Sequence, residues 1–253
     1  MKESILELIE KSPGYATNLK LSNKELEIFK FYISEQWLKN IRENNLDLAS
    51  WIIDNNFKIE NYHKISKELN HSKIWPKSSR ILPFQFLEEF QNTNFFNQLK
   101  KLFNVVEISD EEDLGYGNIY WRLVRPNEKS DVGPIHRDSW FWQLNKNFPK
   151  PLYPFKRIKV WIAIETQPLK SGLLIEDNSH LREDIKWKGE IRHGIVKPLL
   201  LSDMKEFDMK LISTNPGESI IFNDNLVHGG ALNKGNKTRV SLEFTLLCNL
   251  FND

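Results

Sequence analysis

The hydrophobic period of the chain changes near Asn118, and this change constrains the fold more than any other feature. Before it, apolar residues recur at helical spacing. SNKE at 22–25 is a capping box, in which Ser22 caps the first turn and Glu25 reaches back. Leu26, Phe29, Ile33, Trp37 and Ile41 then form one apolar stripe. A shorter helix is predicted ahead of it, ending at Ser12-Pro13-Gly14. Another begins at Thr93, with Phe95, Phe96, Leu99, Leu102 and Phe103 on its buried side. After Asn118 the pattern alternates. RIKVWIAIET, residues 157–166, puts Ile158, Val160, Ile162 and Ile164 on one face and Lys159, Trp161, Ala163 and Glu165 on the other. NIYWRLVRP, GLLIED, GIVKPLLL, DMKLIST, ESIIFND and TRVSLEFTLL read as further short strands between turn signals. Helices first and many strands afterwards predict an α+β chain with a mainly β core, a sandwich or barrel with N-terminal helices packed on it. We expect residues 1–104 to be mainly helical and 105–250 to form the β core. With no linker between them, 1–253 is expected to be a single domain.

Composition narrows the class. A hydrophobic content of 40%, with eight Trp and sixteen Phe, can fill one large core. A net charge of +1 offers nothing to nucleic acid. No apolar run approaches the ~20 residues that cross a bilayer, and MKESILELIEKSPGY carries too many charges for a signal peptide. Cys248 is the single cysteine, which excludes an intrachain disulfide and fits a reducing compartment. The expectation is a cytoplasmic protein that binds neither nucleic acid nor membrane. SDEEDLGYGN, 109–118, is expected to be a solvated loop.

The chemistry concentrates in two stretches. In GPIHRDSWFW, His136 and Asp138 stand two apart, so on a strand both point to the same side. Alone, such a pair is more often an ordinary surface ion pair. His228, in FNDNLVHGGALNKGNKTRVSLEF, is the second histidine candidate. Two histidines and a carboxylate meeting at one point make the facial triad of non-haem Fe(II) enzymes, with three coordination positions left open. NKGN, 233–236, is a hairpin signal. A turn centred between Lys234 and Gly235 would set His228 opposite Ser241 and Gly230 opposite Arg239. Arg239 and Ser241 would then share a face with His228 and could clamp a carboxylate through a guanidinium fork and a hydroxyl. Arg239 could instead pair with Glu243 or Glu165, and Trp161 could simply be core. His63, His71 and His193 have no such pattern around them.

Taken together, HRD, VWIAIETQPLKSGLLIEDNSH, NPGESIIFNDNLVHGGALN and RVS resemble the phytanoyl-CoA dioxygenase-like branch of the Fe(II)/2-oxoglutarate-dependent oxygenases, over roughly residues 118–247. The resemblance implies a double-stranded β-helix, a cupin-like jelly roll. It also implies Fe(II) on His136, Asp138 and His228, and 2-oxoglutarate with its C5 carboxylate on Arg239 and Ser241. Trp161 matches the family's strand tryptophan, a cofactor-binding position. Ser179-His180 ends a loop that here reads DNSH and lacks the family's Pro-Gly. O2 is the co-reactant, succinate and CO2 are products, and the retained Asp138 favours hydroxylation of a small molecule over halogenation. Desaturation or cyclisation would use the same oxidant. A non-redox metal enzyme, such as an isomerase or hydrolase, and a non-catalytic ligand-binding barrel are the competing classes. The RxS clamp argues against the first and the intact triad against the second.

The substrate is less legible. SWFWQLNKNFPKPLYPFKR offers Trp140, Phe141 and Trp142 with Lys146, Lys150, Lys156 and Arg157, a set suited to a sugar or an acidic metabolite. The same aromatics could equally pack the barrel mouth. Trp140, Trp142, Arg157 and His180 are the substrate-contact candidates, with WKGEIRHG at 187–194 as an opposing rim.

Overall fold

The alternating run at 157–166 lies at the centre of the main sheet, and its two faces meet two different layers. The computed structural model describes residues 4–144, 155–192 and 194–249. Its helices are α1 (Ile5–Glu10), α2 (Asn23–Asn44), α3 (Leu46–Asp54), α4 (His71–Ile74), α5 (Phe84–Gln91), α6 (Asn94–Phe103) and α7 (Asp138–Leu144). Its strands are β1 (Tyr15–Ala16), β2 (Val105–Ile108), β3 (Tyr120–Val124), β4 (Lys156–Glu165), β5 (Leu173–Ile175), β6 (Trp187–Arg192), β7 (Ile195–Leu200), β8 (Lys210–Ile212), β9 (Ser219–Asn223), β10 (His228–Gly230) and β11 (Arg239–Cys248).

The antiparallel main sheet runs β1-β9-β4-β11-β2, with β3 also pairing β11. On one side, Ile158, Val160, Ile162 and Ile164 of β4 and Val240, Leu242, Phe244 and Leu246 of β11 join the helices in one buried cluster. The α2 stripe Phe29, Ile33, Trp37 and Ile41 lies in it, and the Phe90 ring meets Phe244 edge-on at 5.3 Å. Ser22 and Glu25 form the expected capping box, and Glu25 also accepts from the Phe95 amide, tying α2 to α6. On the other side, Trp161 and Ala163 of β4 and Ile220 and Phe222 of β9 pack against Leu173 and Ile175 of the smaller sheet β10-β5-β8. The two facing sheets make the jelly roll, and β6 and β7 form a separate ribbon. Among the described residues no helix is long and apolar enough to cross a membrane.

Four sequence expectations are corrected. The HxD pair does not lie on a strand: His136 forms an isolated antiparallel bridge with His228, and Asp138 opens α7. NKGN does not join a hairpin, because β10 pairs β5 while β11 pairs β3 and β4. Leu102 is exposed on the outer side of α6. The acidic loop is only partly solvated, since Glu111 turns inward to accept from Thr245 Oγ1 at 2.6 Å.

Candidate metal and anion site

His136 and His228 are brought together by their own backbones. Each amide donates to the other's carbonyl at 2.9 Å, so the two residues are directly opposed and their side chains project to one side. Gly229 permits this approach: a Cβ there would stand 2.7 Å from Ile135 Cδ1 and 3.3 Å from the Pro134 oxygen. Asp138 then enters from the first turn of α7. Its Oδ1 lies 3.6 Å from His136 Nε2 and its Oδ2 3.5 Å from His228 Nε2. The three donor atoms lie within 4.8 Å of one another, and no other His/Cys/Asp/Glu group among the described residues could hold a metal ion in this way.

The tautomers follow from the outer contacts. His136 Nδ1 faces the Pro134 carbonyl at 2.8 Å, and His228 Nδ1 faces the Leu226 carbonyl at 3.0 Å. A carbonyl only accepts, so each Nδ1 carries its hydrogen and a neutral ring presents its Nε2 lone pair to the cluster. Burial pushes the His228 imidazole down to about 4, although Asp138 pulls the other way. Burial opposes ionisation of Asp138, but Lys159 and the two histidines outweigh it and hold the carboxyl well below the usual carboxylate range. Two imidazole Nε2 atoms thus face a buried carboxylate whose Oδ2 has no hydrogen-bond partner among the described residues. That donor set fits a divalent cation and is poorly satisfied without one.

Arg239 and Ser241 lie on the interior face of β11. Arg239 is 3% exposed, donates through Nη1 to the Gly172 carbonyl and leaves Nε unpartnered. Neither expected structural partner is used, because Glu243 pairs with Arg122 at 2.7 Å and Glu165 with Lys30 at 2.8 Å. No carboxylate among the described residues reaches Arg239 to form an ion pair. Burial and the Arg122 charge push its guanidinium down to about 10. The Ser241 hydroxyl is also buried without a partner. Arg239 Nη2 stands 3.6 Å from where a Cβ on Gly230 would lie, two residues beyond His228. Trp161 lies beside it, its ring 6.0 Å from Arg239 Cζ. A buried cation with no ion-pair partner among the described residues, beside a buried hydroxyl that lacks a hydrogen-bond partner, fits an external carboxylate.

The sequence reading missed Lys159. It is 7% exposed, donates to Thr245 Oγ1 at 3.0 Å, and lies 3.9 Å from Asp138 and 3.8 Å from Glu111. Its signal was in plain view: a lysine on the Trp161 face, beside the apolar middle of the strand.

The substrate-contact candidates scatter. Trp140 is 1% exposed and stacks on Trp187 at 5.1 Å, so it packs α7 against β6 and lines no open surface. Trp142 takes the Arg157 guanidinium over its ring at 4.7 Å. His180 packs on the N-terminal segment, its ring so close to Gly14 (φ +98°) that no side chain fits there. Ser179 is the more informative half of that loop, because its hydroxyl accepts from the Val227 amide next to His228. His63 contacts Thr238, and His71 lies between Tyr62 and Asp131. Lys146, Lys150 and His193 lie outside the described residues.

Comparison with known proteins agrees with this geometry. The phytanoyl-CoA dioxygenase family model matches residues 69–241. No curated protein sequence matches the chain. Among solved structures, the apo form of the non-haem monooxygenase ThoJ is similar at a TM-score of 0.60 and 11% identity, over 97% of this chain and 77% of that one. The non-haem α-ketoglutarate-dependent carbocyclase SnoK from nogalamycin biosynthesis gives 0.55 and 10%, over 98% and 84%. AviO1 from Streptomyces viridochromogenes gives 0.50 and 13%, over 100% and 99%. At such identities the structural likeness speaks for the fold. The matched segment includes His136, Asp138, His228, Arg239 and Ser241, and the chain belongs to the phytanoyl-CoA dioxygenase family, whose enzymes depend on non-haem iron and 2-oxoglutarate.

Proposed function

We propose that this chain hydroxylates a small molecule as an Fe(II)- and 2-oxoglutarate-dependent dioxygenase, releasing succinate and CO2, and that residues 1–253 act as one cytoplasmic domain. In this reading His136 Nε2, His228 Nε2 and an Asp138 oxygen hold Fe(II). Arg239 and Ser241 donate to the C5 carboxylate of 2-oxoglutarate, and Trp161 walls that end of the site. When bound, iron with 2-oxoglutarate and O2 supplies the oxidant. The chain's own part is to hold three ligands on one side of the centre, fix the Nδ1 side of both histidines on backbone carbonyls so that Nε2 points to the centre, and place one buried cation for the cosubstrate's far carboxylate.

A single observation carries the reading. A buried guanidinium with no carboxylate partner among the described residues approaches Gly230, two residues beyond a ligand of the two-histidine, one-carboxylate cluster. A metal hydrolase or isomerase needs the cluster but has no use for the cation, and a binding barrel needs neither histidine unpaired. The test is succinate formation from 2-oxoglutarate by the Fe(II)-loaded protein in air, with no added substrate. Slow, iron-dependent succinate release that vanishes in His136→Ala and in His228→Ala supports the proposal. Turnover that persists in either variant refutes it.

A further inference from the structure

One cavity lies apart from the His136–Asp138–His228 cluster. It is a cleft of about 1080 Å³ between residues 66–80, the end of β3 and the 130–133 loop. At one end it is lined by Val132 and Gly133, which lie 3.8–3.9 Å from the Cβ position of Gly230 and so border the Arg239 guanidinium. The cleft is therefore a neighbour of the proposed cosubstrate anchor.

Its charges are unbalanced. Arg80, Arg122, Arg125 and Lys67 line it against Glu68 and Asp131. Asp131 is already committed: it receives Arg125 at Nε and Nη2, at 2.9 and 2.7 Å, and His71 at 3.3 Å. Arg122 has Glu243 on Nε and Nη2, yet its side chain keeps 41% of its surface open. Arg80 has no carboxylate among the described residues. It donates only to backbone carbonyls, from Nε to Trp75 and from Nη1 to Trp121. Those bonds fix the fork in place but leave its charge uncompensated. Burial and the nearby Arg122 charge push the Arg80 guanidinium down to about 10, and Arg122 acts in the same sense on Arg239. Arg80, Arg122 and Arg239 thus lie close enough for their charges to act on one another, and Glu243 is a carboxylate that acts on all three. Such a set repels itself unless an anion joins it.

We propose that this cleft binds the oxyanion group, carboxylate or phosphate, of the enzyme's organic substrate, with Arg80 and Arg122 as its two forks. Both oxyanions match a guanidinium bidentately. Naming the anion as the substrate's rests on the oxygenase reading above, whereas the binding itself does not. An anion held here lies next to the Arg239 end of the site, so the remainder of the molecule can extend toward the cluster.

The experiment is a heteronuclear NMR titration of the 15N-labelled full-length chain with inorganic phosphate and, separately, with benzoate, following the arginine Nε–H resonances. The Arg80 resonance is assigned by its loss in Arg80→Lys. The Arg80 and Arg122 resonances should move together along one saturating curve with at least one of the two anions, and the responding anion tells phosphate from carboxylate. Arg80→Gln should raise half-saturation at Arg122 about tenfold or more, since a charged hydrogen-bond pair is lost. If Arg80→Gln does not fold, Arg80→Lys keeps the charge without the fork and should raise it several-fold. An Arg80 resonance that moves with neither anion, or half-saturation within twofold of wild type in the variant, overturns the proposal. The Fe(II)–2-oxoglutarate complex, monitored separately, should form equally well in Arg80→Gln. Its absence from wild type beside a saturable Arg80 response would remove the oxygenase reading and leave an anion-binding cleft.

Discussion

His136 and His228 exchange both backbone hydrogen bonds, each at 2.9 Å, and their rings stand 4.5 Å apart on the same side of that bridge. The spacing of the two imidazoles is therefore set by a main-chain pairing. Side-chain packing has only to orient the rings, which the Pro134 and Leu226 carbonyls do. A cluster built this way is pre-assembled before any metal arrives.

Lys159 counterbalances the cluster from behind. In Lys159→Gln, Asp138 and Glu111 lose a buried cation at 3.9 and 3.8 Å. Removing one side of a buried ion pair costs on the order of 3 kcal/mol. The metal-free variant should melt below wild type. Because the lysine also repels a bound cation, Mn(II) should raise the variant's melting temperature by more than it raises that of wild type. Equal Mn(II) shifts in the two proteins, measured calorimetrically, would show that Lys159 does not act on the cluster.

Trp140 separates packing from recognition. Buried against Trp187, Ile185, Phe207 and Val227, it should cost about 3–5 kcal/mol of stability when cut to alanine. Urea unfolding reads that loss directly. Metal affinity of the folded variant should stay near that of wild type, since Trp140 contributes no ligand.

Arg239→Ala should weaken 2-oxoglutarate binding strongly. Loss of one partner of a shielded charge pair costs about 3–5 kcal/mol, or roughly a hundred- to several-thousand-fold in affinity. Arg239→Lys keeps the charge without the planar fork and should fall between. Metal affinity in the absence of 2-oxoglutarate should hardly change. Equilibrium titration with 2-oxoglutarate checks all three statements, and an affinity within twofold of wild type in Arg239→Ala would place the anchor elsewhere.

Glu243 gives the acid response. Burial opposes its ionisation, but Arg122 and Lys159 outweigh it and bring its pKa from 4.5 down to about 2. A depressed folded-state pKa adds stability that is complete above the unfolded value and is lost as pH falls through the folded one. Stability should therefore decline between about pH 4.5 and 2, and Glu243→Gln should be less stable at neutral pH with a shallower decline across that window. Urea midpoints measured at several pH values test this.

The β4 alternation and the α2 stripe were legible because each residue's burial follows from period alone, and both faces of β4 meet the layers its residues select. The site residues were legible as types in order, while their geometry was not. An i, i+2 spacing reads as a strand, yet Asp138 begins a helix, and the chain between His136 and Asp138 turns the carboxylate back onto the two rings. The NKGN signal suggested local pairing, but β10 and β11 belong to different sheets. Arg239 approaches Gly230 across the interior and not along a hairpin. Arg80 left no trace in any motif, because its place depends on a contact between the 66–80 segment and β3 that no local pattern encodes.

Anaerobic titration of the full-length protein with Fe(II) and then 2-oxoglutarate, watched for the weak visible charge-transfer band of their complex, tests the central claim most directly. It probes the metal ligands, the carboxylate anchor and their relative placement at once, without knowledge of the substrate. The account predicts a saturable band at one Fe(II) per chain in wild type, no band in His136→Ala or His228→Ala, and a band that needs far more 2-oxoglutarate in Arg239→Ala. A wild-type protein that binds Fe(II) and 2-oxoglutarate without the band, or a His228→Ala variant that retains it, would contradict the account.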